Sequence, residues 1–325
     1  PISAGNQLWF VKECFNALGI VGFFLFLLPF ACLLMKTPFF AGIQQEVPAP
    51  RPRPTDTKGK LVSAISLVLL AVIPGITVMP VFSKLAYGMI FTNAVANNST
   101  DFFPQPGPNA IVTGALVNGL AAVAIFALGY LIYGKKHGDG PDNWGVKTTW
   151  ANVGKSALLA ILVTGVAYGF VLLADLFFTV DFRFWSFAIR AAEGNILALV
   201  PHYLPFMLVF WLATSFMVNA SARKECNKER HNTALCVVVN VIGLVALVVI
   251  QFAVLFSTGV AMWYANRAWV NICLIIPFIP MMIVGTVLLR KCFKKTGTIY
   301  FGAFLMALVS TLIMVANANT ILRIR

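Results

Sequence analysis

Charge is what this sequence has least of. Charged residues fill 11% of its 325 positions, with 11 acidic residues and 3 histidines. Soluble domains carry about 25% charged residues, because a water-facing surface needs them. That scarcity excludes a soluble globule. Cysteine is sparse as well: there are six, with no CxxC and no regular spacing. Cys14, Cys32, Cys236 and Cys273 lie in or beside apolar runs, where the thiol serves as small packing material. Cys226 and His231 share one loop, but two ligands do not make a zinc site, and no disulfide framework is legible. Neither a metal nor another cofactor is therefore expected.

Catalytic signatures are missing too. Gly154-Lys155-Ser156 has Thr149 where a phosphate-binding loop needs its upstream glycine. The same serine lacks the second glycine of a nucleophile elbow and opens an apolar run, where no strand–turn–helix fits. There is no HExxH and no dinucleotide fingerprint.

What is present is hydrophobicity. Apolar residues make up 59% of the chain. They recur in runs long enough for a helix of about 20 residues to cross roughly 30 Å of hydrocarbon. Lipid admits only helices and closed barrels, since every backbone group must be paired internally. Barrel strands alternate apolar and polar residues, whereas Leu235–Phe256 is apolar all round. The expected fold class is therefore all-α, a polytopic membrane bundle forming a single transmembrane domain over residues 1–325. Eight spans are expected: Ala17–Met35, Leu61–Phe82, Ile111–Tyr133, Val153–Phe178, Ile196–Val218, Thr233–Phe256, Trp269–Leu289 and Thr298–Ala316.

The net charge of +13 could point to nucleic acid, but the basic residues sit in short clusters between apolar runs. No nucleic-acid partner is expected; the partner is the bilayer. Of the 24 basic residues, 17 fall in Lys36–Lys60, Gly134–Asn152 with Lys155, Asn219–Asn232 and Arg290–Gly297. The other seven are Lys12, Lys84, Arg183, Arg190, Arg267, Arg323 and Arg325. Cytoplasmic loops collect Lys and Arg, so the first set is assigned to the cytoplasm and both termini to the outside. The location implied is a bacterial cytoplasmic membrane. Trp9, Phe102, Phe103, Trp185, Trp263 and Trp269 gather at the outer boundary, as an aromatic belt does.

Between spans, 36–60 reads as a cytoplasmic linker rich in proline and basic residues, with Val47–Pro54 an extended spacer. Residues 83–110 read as an irregular outer loop, and 181–193 as a segment lying at the outer interface. Pro29, Pro74, Pro80, Pro201, Pro205, Pro277 and Pro280 are expected to bend their spans. Gly165-Val-Ala-Tyr-Gly169 reads as close packing inside the bundle, with a dimer interface as its other use.

Two polar constellations stand out. Asn240 and Gln251 lie eleven residues apart, hence on one helical face, and should point into the bundle. Asp175 lies inside an apolar run, with Tyr168 seven residues earlier on the same face. A carboxylate within a span is expensive and needs a partner. Arg183, Arg190 and His202 could supply one, and Asp181 and Glu193 complete an outer polar cluster. The cluster is either a substrate-facing pocket or an interfacial ion-pair network.

Several stretches carry a resemblance. They are Gly5-Asn6-Gln7-Leu8-Trp9 leading through Lys12-Glu13 into Gly19–Phe30, then Asp181–Ala191, Leu204–Ala220 and Lys294–Thr320. Together they resemble the carboxy-terminal membrane region of a bacterial, chiefly clostridial, family of membrane-anchored α/β hydrolase-like proteins. The resemblance implies a preceding α/β-hydrolase domain that holds the Ser nucleophile, acid and His; none of these maps onto this chain. A sequence opening on Pro1, assigned outside, agrees with such a domain. Two other classes stay open from the residues alone. One is a transporter or channel for a small amphipathic solute; the other is a multispan acyltransferase-like enzyme with His202 as base. Oligomeric state is not legible.

Overall fold

A computed structural model describes residues 29–46, 144–177, 200–222, 233–243 and 278–323, with a few single positions between them. The described residues are all-α. Seven helices are seen: α1 (29–35), α2 (Pro38–Ala41), α3 (Trp150–Phe177), α4 (Val200–Ala222), α5 (Thr233–Gly243), α6 (Phe278–Thr296) and α7 (Tyr300–Arg323). Among the described residues one helix segment, Trp150–Phe170, is long and apolar enough to cross a membrane; Met207–Asn219, Thr233–Gly243 and Tyr300–Leu312 are shorter apolar stretches. The outer loop 83–110, the interfacial segment 181–193 and the spacer Val47–Pro54 lie outside the described residues.

The central helix is α7, which packs against α4, α3 and α6. It is apolar on every side, and a helix of that kind belongs in an interior. Phe301, Ala303, Leu305, Met306, Ala307 and Val309 are all buried. Its neighbours come close through glycine. A Cβ on Gly285 would stand 2.5 Å from Met306 Cε and 3.0 Å from the Trp211 ring. A Cβ on Gly302 would stand 3.1 Å from Leu289 Cδ2. Gly165 and Gly169 behave differently from the expectation of close packing. A Cβ on either meets nothing within 4 Å, and both lie on the exposed face of α3.

Three helix pairs carry a polar tie. Trp211 on α4 donates its indole N–H to Ser310 Oγ on α7 at 2.9 Å. Asn240 on α5 donates to Thr286 Oγ1 on α6 at 2.8 Å. Arg290 on α6 donates to Asn219 Oδ1 on α4 at 3.1 Å.

Several expected boundaries move. Residues Arg290–Thr296, assigned to a loop for their charge, continue α6 as helix. Arg290 is buried there, while Lys291, Lys294 and Lys295 take the exposed side. The helix stops at Gly297, whose φ of 67° only glycine adopts without penalty. Residues 36–46, expected as open linker, fold back as a tight turn through α2, burying Phe40 and Ile43. Pro205 sits inside α4 on its exposed side, and the helix continues through it.

Candidate functional site

The outer polar cluster falls largely beyond what the structure describes. Asp181, Arg183, Arg190, Glu193 and Gln251 lie outside the described residues. Asp175 and His202 belong to α3 and α4, and only their backbone is described. Tyr168 is buried. Its face of α3 also buries Ser156, Ala160 and Thr164, and Asp175 follows Tyr168 by seven residues in the same register. Thr164 on α3 and Thr311 on α7 bury hydroxyls that make no hydrogen bond. Asn240 is buried and bonded to Thr286, as above.

What the structure assembles in full is the other end of the bundle. Gln45 donates its backbone N–H to Thr296 O at 3.0 Å and its side-chain amide to Thr148 Oγ1 at 2.6 Å. Ile299 N–H donates to Gly145 O at 3.1 Å, and the Tyr300 hydroxyl to Val146 O at 2.7 Å. Trp144 lies edge-on to Phe216 with ring centroids 5.1 Å apart. Ser215 Oγ donates to Ile299 O, and Asn219 Nδ2 donates to Ser215 O at 2.8 Å. Parts of three basic stretches, 36–46, 144–149 and 290–297, therefore meet at one junction, with Asn219 at the start of the fourth bonded to Arg290.

Local sequence explains why the chain can do this. Gly145 and Gly297 both hold positive φ, at 69° and 67°. Each lies under another backbone, since a Cβ on Gly145 would sit 2.6 Å from Gly297 O and one on Gly297 would sit 2.7 Å from Gln45 O. Thr149 opens α3 by accepting the Asn152 N–H on its hydroxyl at 3.3 Å, the usual start signal for a helix.

The junction is basic. Lys36, Lys147, Lys291, Lys294 and Lys295 are exposed there and Lys155 is half-buried, while Glu46 is the acidic residue of these segments. The Lys155 ammonium stands 5.2 Å from the Phe39 ring centroid. Lys295 Nζ donates to Cys32 Sγ at 3.2 Å. Cys292, one turn earlier on α6, is buried; burial first, and Cys32 second, push its thiol up to about 12 while Lys295 opposes the rise. Such a thiol stays protonated and unreactive at neutral pH.

Sequence reasoning did not foresee Arg290 as a buried group, nor the Gly145–Gly297 contact. Two signals were available. Arg290 directly follows two leucines in helical register, and both glycines border a basic cluster between long apolar runs. Among the described residues no group of His, Cys, Asp and Glu could hold a metal ion. No family model, no curated protein and no solved structure matches this chain.

Proposed function

We propose that this chain is the eight-span membrane domain of a bacterial protein whose hydrolase domain works outside the cell on ester or acyl groups, and that it both anchors that domain and presents substrate to it. The observation that carries the membrane part is the junction. Parts of three stretches between apolar runs that are rich in Lys and Arg, 36–46, 144–149 and 290–297, meet at one end through Gln45–Thr296 and Gln45–Thr148, and Arg290 bonds to Asn219, where the fourth begins. Loops that alternate along the chain and touch one another share one side of a bilayer, which agrees with their charge. The hydrolase part rests on the resemblance of Gly5–Phe30, Asp181–Ala191, Leu204–Ala220 and Lys294–Thr320. A presenting role fits the buried hydroxyls of Ser156, Thr164 and Tyr168, which lead along α3 in the register of Asp175. One span would suffice as an anchor.

Topology is tested by cysteine-accessibility labelling. Single cysteines at Arg51, Lys135, Lys224 and Lys291 should react with a membrane-impermeant maleimide only after the cells are opened. Those at Trp185 and Trp263 should react in intact cells. Labelling of any basic position from outside overturns the arrangement.

The division of labour is tested with a fluorophosphonate probe. The isolated chain should label no more than its heat-denatured control, since no serine here stands in an elbow. The reading frame that carries this sequence should encode a GxSxG segment upstream of Pro1. Labelling of Ser156 or any other serine of this chain, or a frame without that segment, removes the hydrolase assignment.

A further inference from the structure

We propose that the basic junction holds an anionic phospholipid, with its phosphate on Lys155 and an acyl chain along the open face of α3. The proposal rests on the membrane reading above and adds a ligand to it.

The starting point is the setting of Lys155. Its stem is half-buried, and its ammonium lies over the Phe39 ring at 5.2 Å. It also lies 3.7 Å from where a Cβ on Gly42 would stand, with Asn152 Oδ1 4.0 Å from that same point. A π face solvates a cation more weakly than a carboxylate does. None of these contacts brings a carboxylate to Lys155. Among the described residues of this junction, Lys36, Lys291 and Lys295 are also exposed. The first turns of α3 add the partial positive charge of a helix N-terminus. The field here calls for an anion.

The surface beyond Lys155 identifies which anion. On α3 the positions that follow Lys155 on its own face are Leu158, Leu162, Val166 and Leu173, exposed by 40%, 39%, 38% and 55%. Gly165 and Gly169 on that face have open space where a side chain would stand. Beyond Lys155 the face is apolar throughout. From Lys155 to Gly165 is ten residues, about 15 Å of helix. That is one leaflet of a hydrocarbon core roughly 30 Å thick. Trp150, exposed by 89%, stands at the helix start, where indole rings sit level with headgroups. A soluble phosphate would use Lys155 and leave the stripe unmatched. A phospholipid uses both, head on the ammonium and chain along the exposed apolar face.

The test is native mass spectrometry of the full chain released from nanodiscs of phosphatidylcholine with phosphatidylglycerol. Phosphatidylglycerol should stay bound through activation that strips phosphatidylcholine. About 1 kcal/mol per lysine near a membrane surface converts to about a fivefold loss of retained lipid in Lys155→Gln. Lys155→Arg should keep retention near wild type. Lys84→Gln, the same charge change in the outer loop, should leave it unchanged. Equal retention of the two lipids by the wild-type chain overturns the proposal without recourse to any variant. So does an equal loss from Lys84→Gln. Inorganic phosphate that displaces the retained lipid would identify a soluble anion site and overturn the lipid assignment. Alkaline carbonate extraction separates the two levels. A chain washed off the membrane by carbonate removes the membrane reading itself, whereas a chain that stays and shows no lipid preference removes only this inference.

Discussion

Gly145→Ala should be among the most damaging single changes in the chain, lowering stability in detergent by about 2–5 kcal/mol. Two independent costs add. The residue holds φ at 69°, a conformation that costs an L side chain roughly 1–2 kcal/mol. The new methyl would also stand 2.5 Å from Phe293 Cε2, 2.6 Å from Gly297 O and 3.1 Å from Thr298 Cα. Phe293 is buried and Gly297 contributes backbone, so neither can swing aside. The Ile299–Gly145 hydrogen bond and the Tyr300–Val146 hydrogen bond both depend on this approach. Gly165→Ala is the matched control. It lies mid-helix in open space, and the change should be neutral or stabilising by up to about 1 kcal/mol. Thermal unfolding of both variants in one detergent checks the pair. Equal midpoints for the two would mean that the junction does not hold the bundle together.

That contrast also marks where sequence reasoning succeeds and where it stops. The helical character of the runs expected at Val153–Phe178 and Thr298–Ala316 was legible, to within several residues of the observed Trp150–Phe177 and Tyr300–Arg323, because each is a long apolar run with no proline to break it. The depth to which the α6 helix runs was not. Charge was taken as the end of a span, yet Arg290 is buried, with Asn219, seventy-one positions away, accepting a hydrogen bond from it. No local pattern announces a partner at that distance. Glycine misled for a related reason. A Gly-x-x-x-Gly spacing gives a smooth surface, but whether anything lies against it depends on the neighbouring helix. Here Gly165 and Gly169 are open, and the close approaches occur at the isolated Gly285 and Gly302, opposite Trp211, Met306 and Leu289. Asn240 was expected to point into the bundle, and its bond to Thr286 runs between helices. Its acceptor was invisible beforehand, since a threonine in an apolar run has no pattern of its own.

Removing the acceptor of a buried charge should cost more than removing the charge along with it. Asn219→Leu takes Oδ1 away from the Arg290 guanidinium, which is 7% exposed, and also deletes the bond from Asn219 Nδ2 to Ser215 O. Hydrogen bonds to charged groups contribute about 1.5–3 kcal/mol, and a buried charge that loses an acceptor forfeits that part of its compensation. A loss of about 3 kcal/mol is therefore expected for Asn219→Leu. Arg290→Met alone deletes the charge and leaves Asn219 with one idle acceptor, for a smaller loss of about 1–2 kcal/mol. The double variant puts two apolar side chains of similar length where an ion and an amide stood. Exchanges of that kind are often neutral. Its loss should fall below that of Asn219→Leu alone, with a coupling of about 1–3 kcal/mol in the double-mutant cycle. Stability is read as the detergent midpoint of thermal unfolding, with all four proteins prepared alike. Strict additivity would show that the Arg290–Asn219 bond joining α6 to α4 carries no energy of its own. A double variant less stable than Asn219→Leu would show that the guanidinium is held chiefly by other contacts, whose loss the methionine cannot replace.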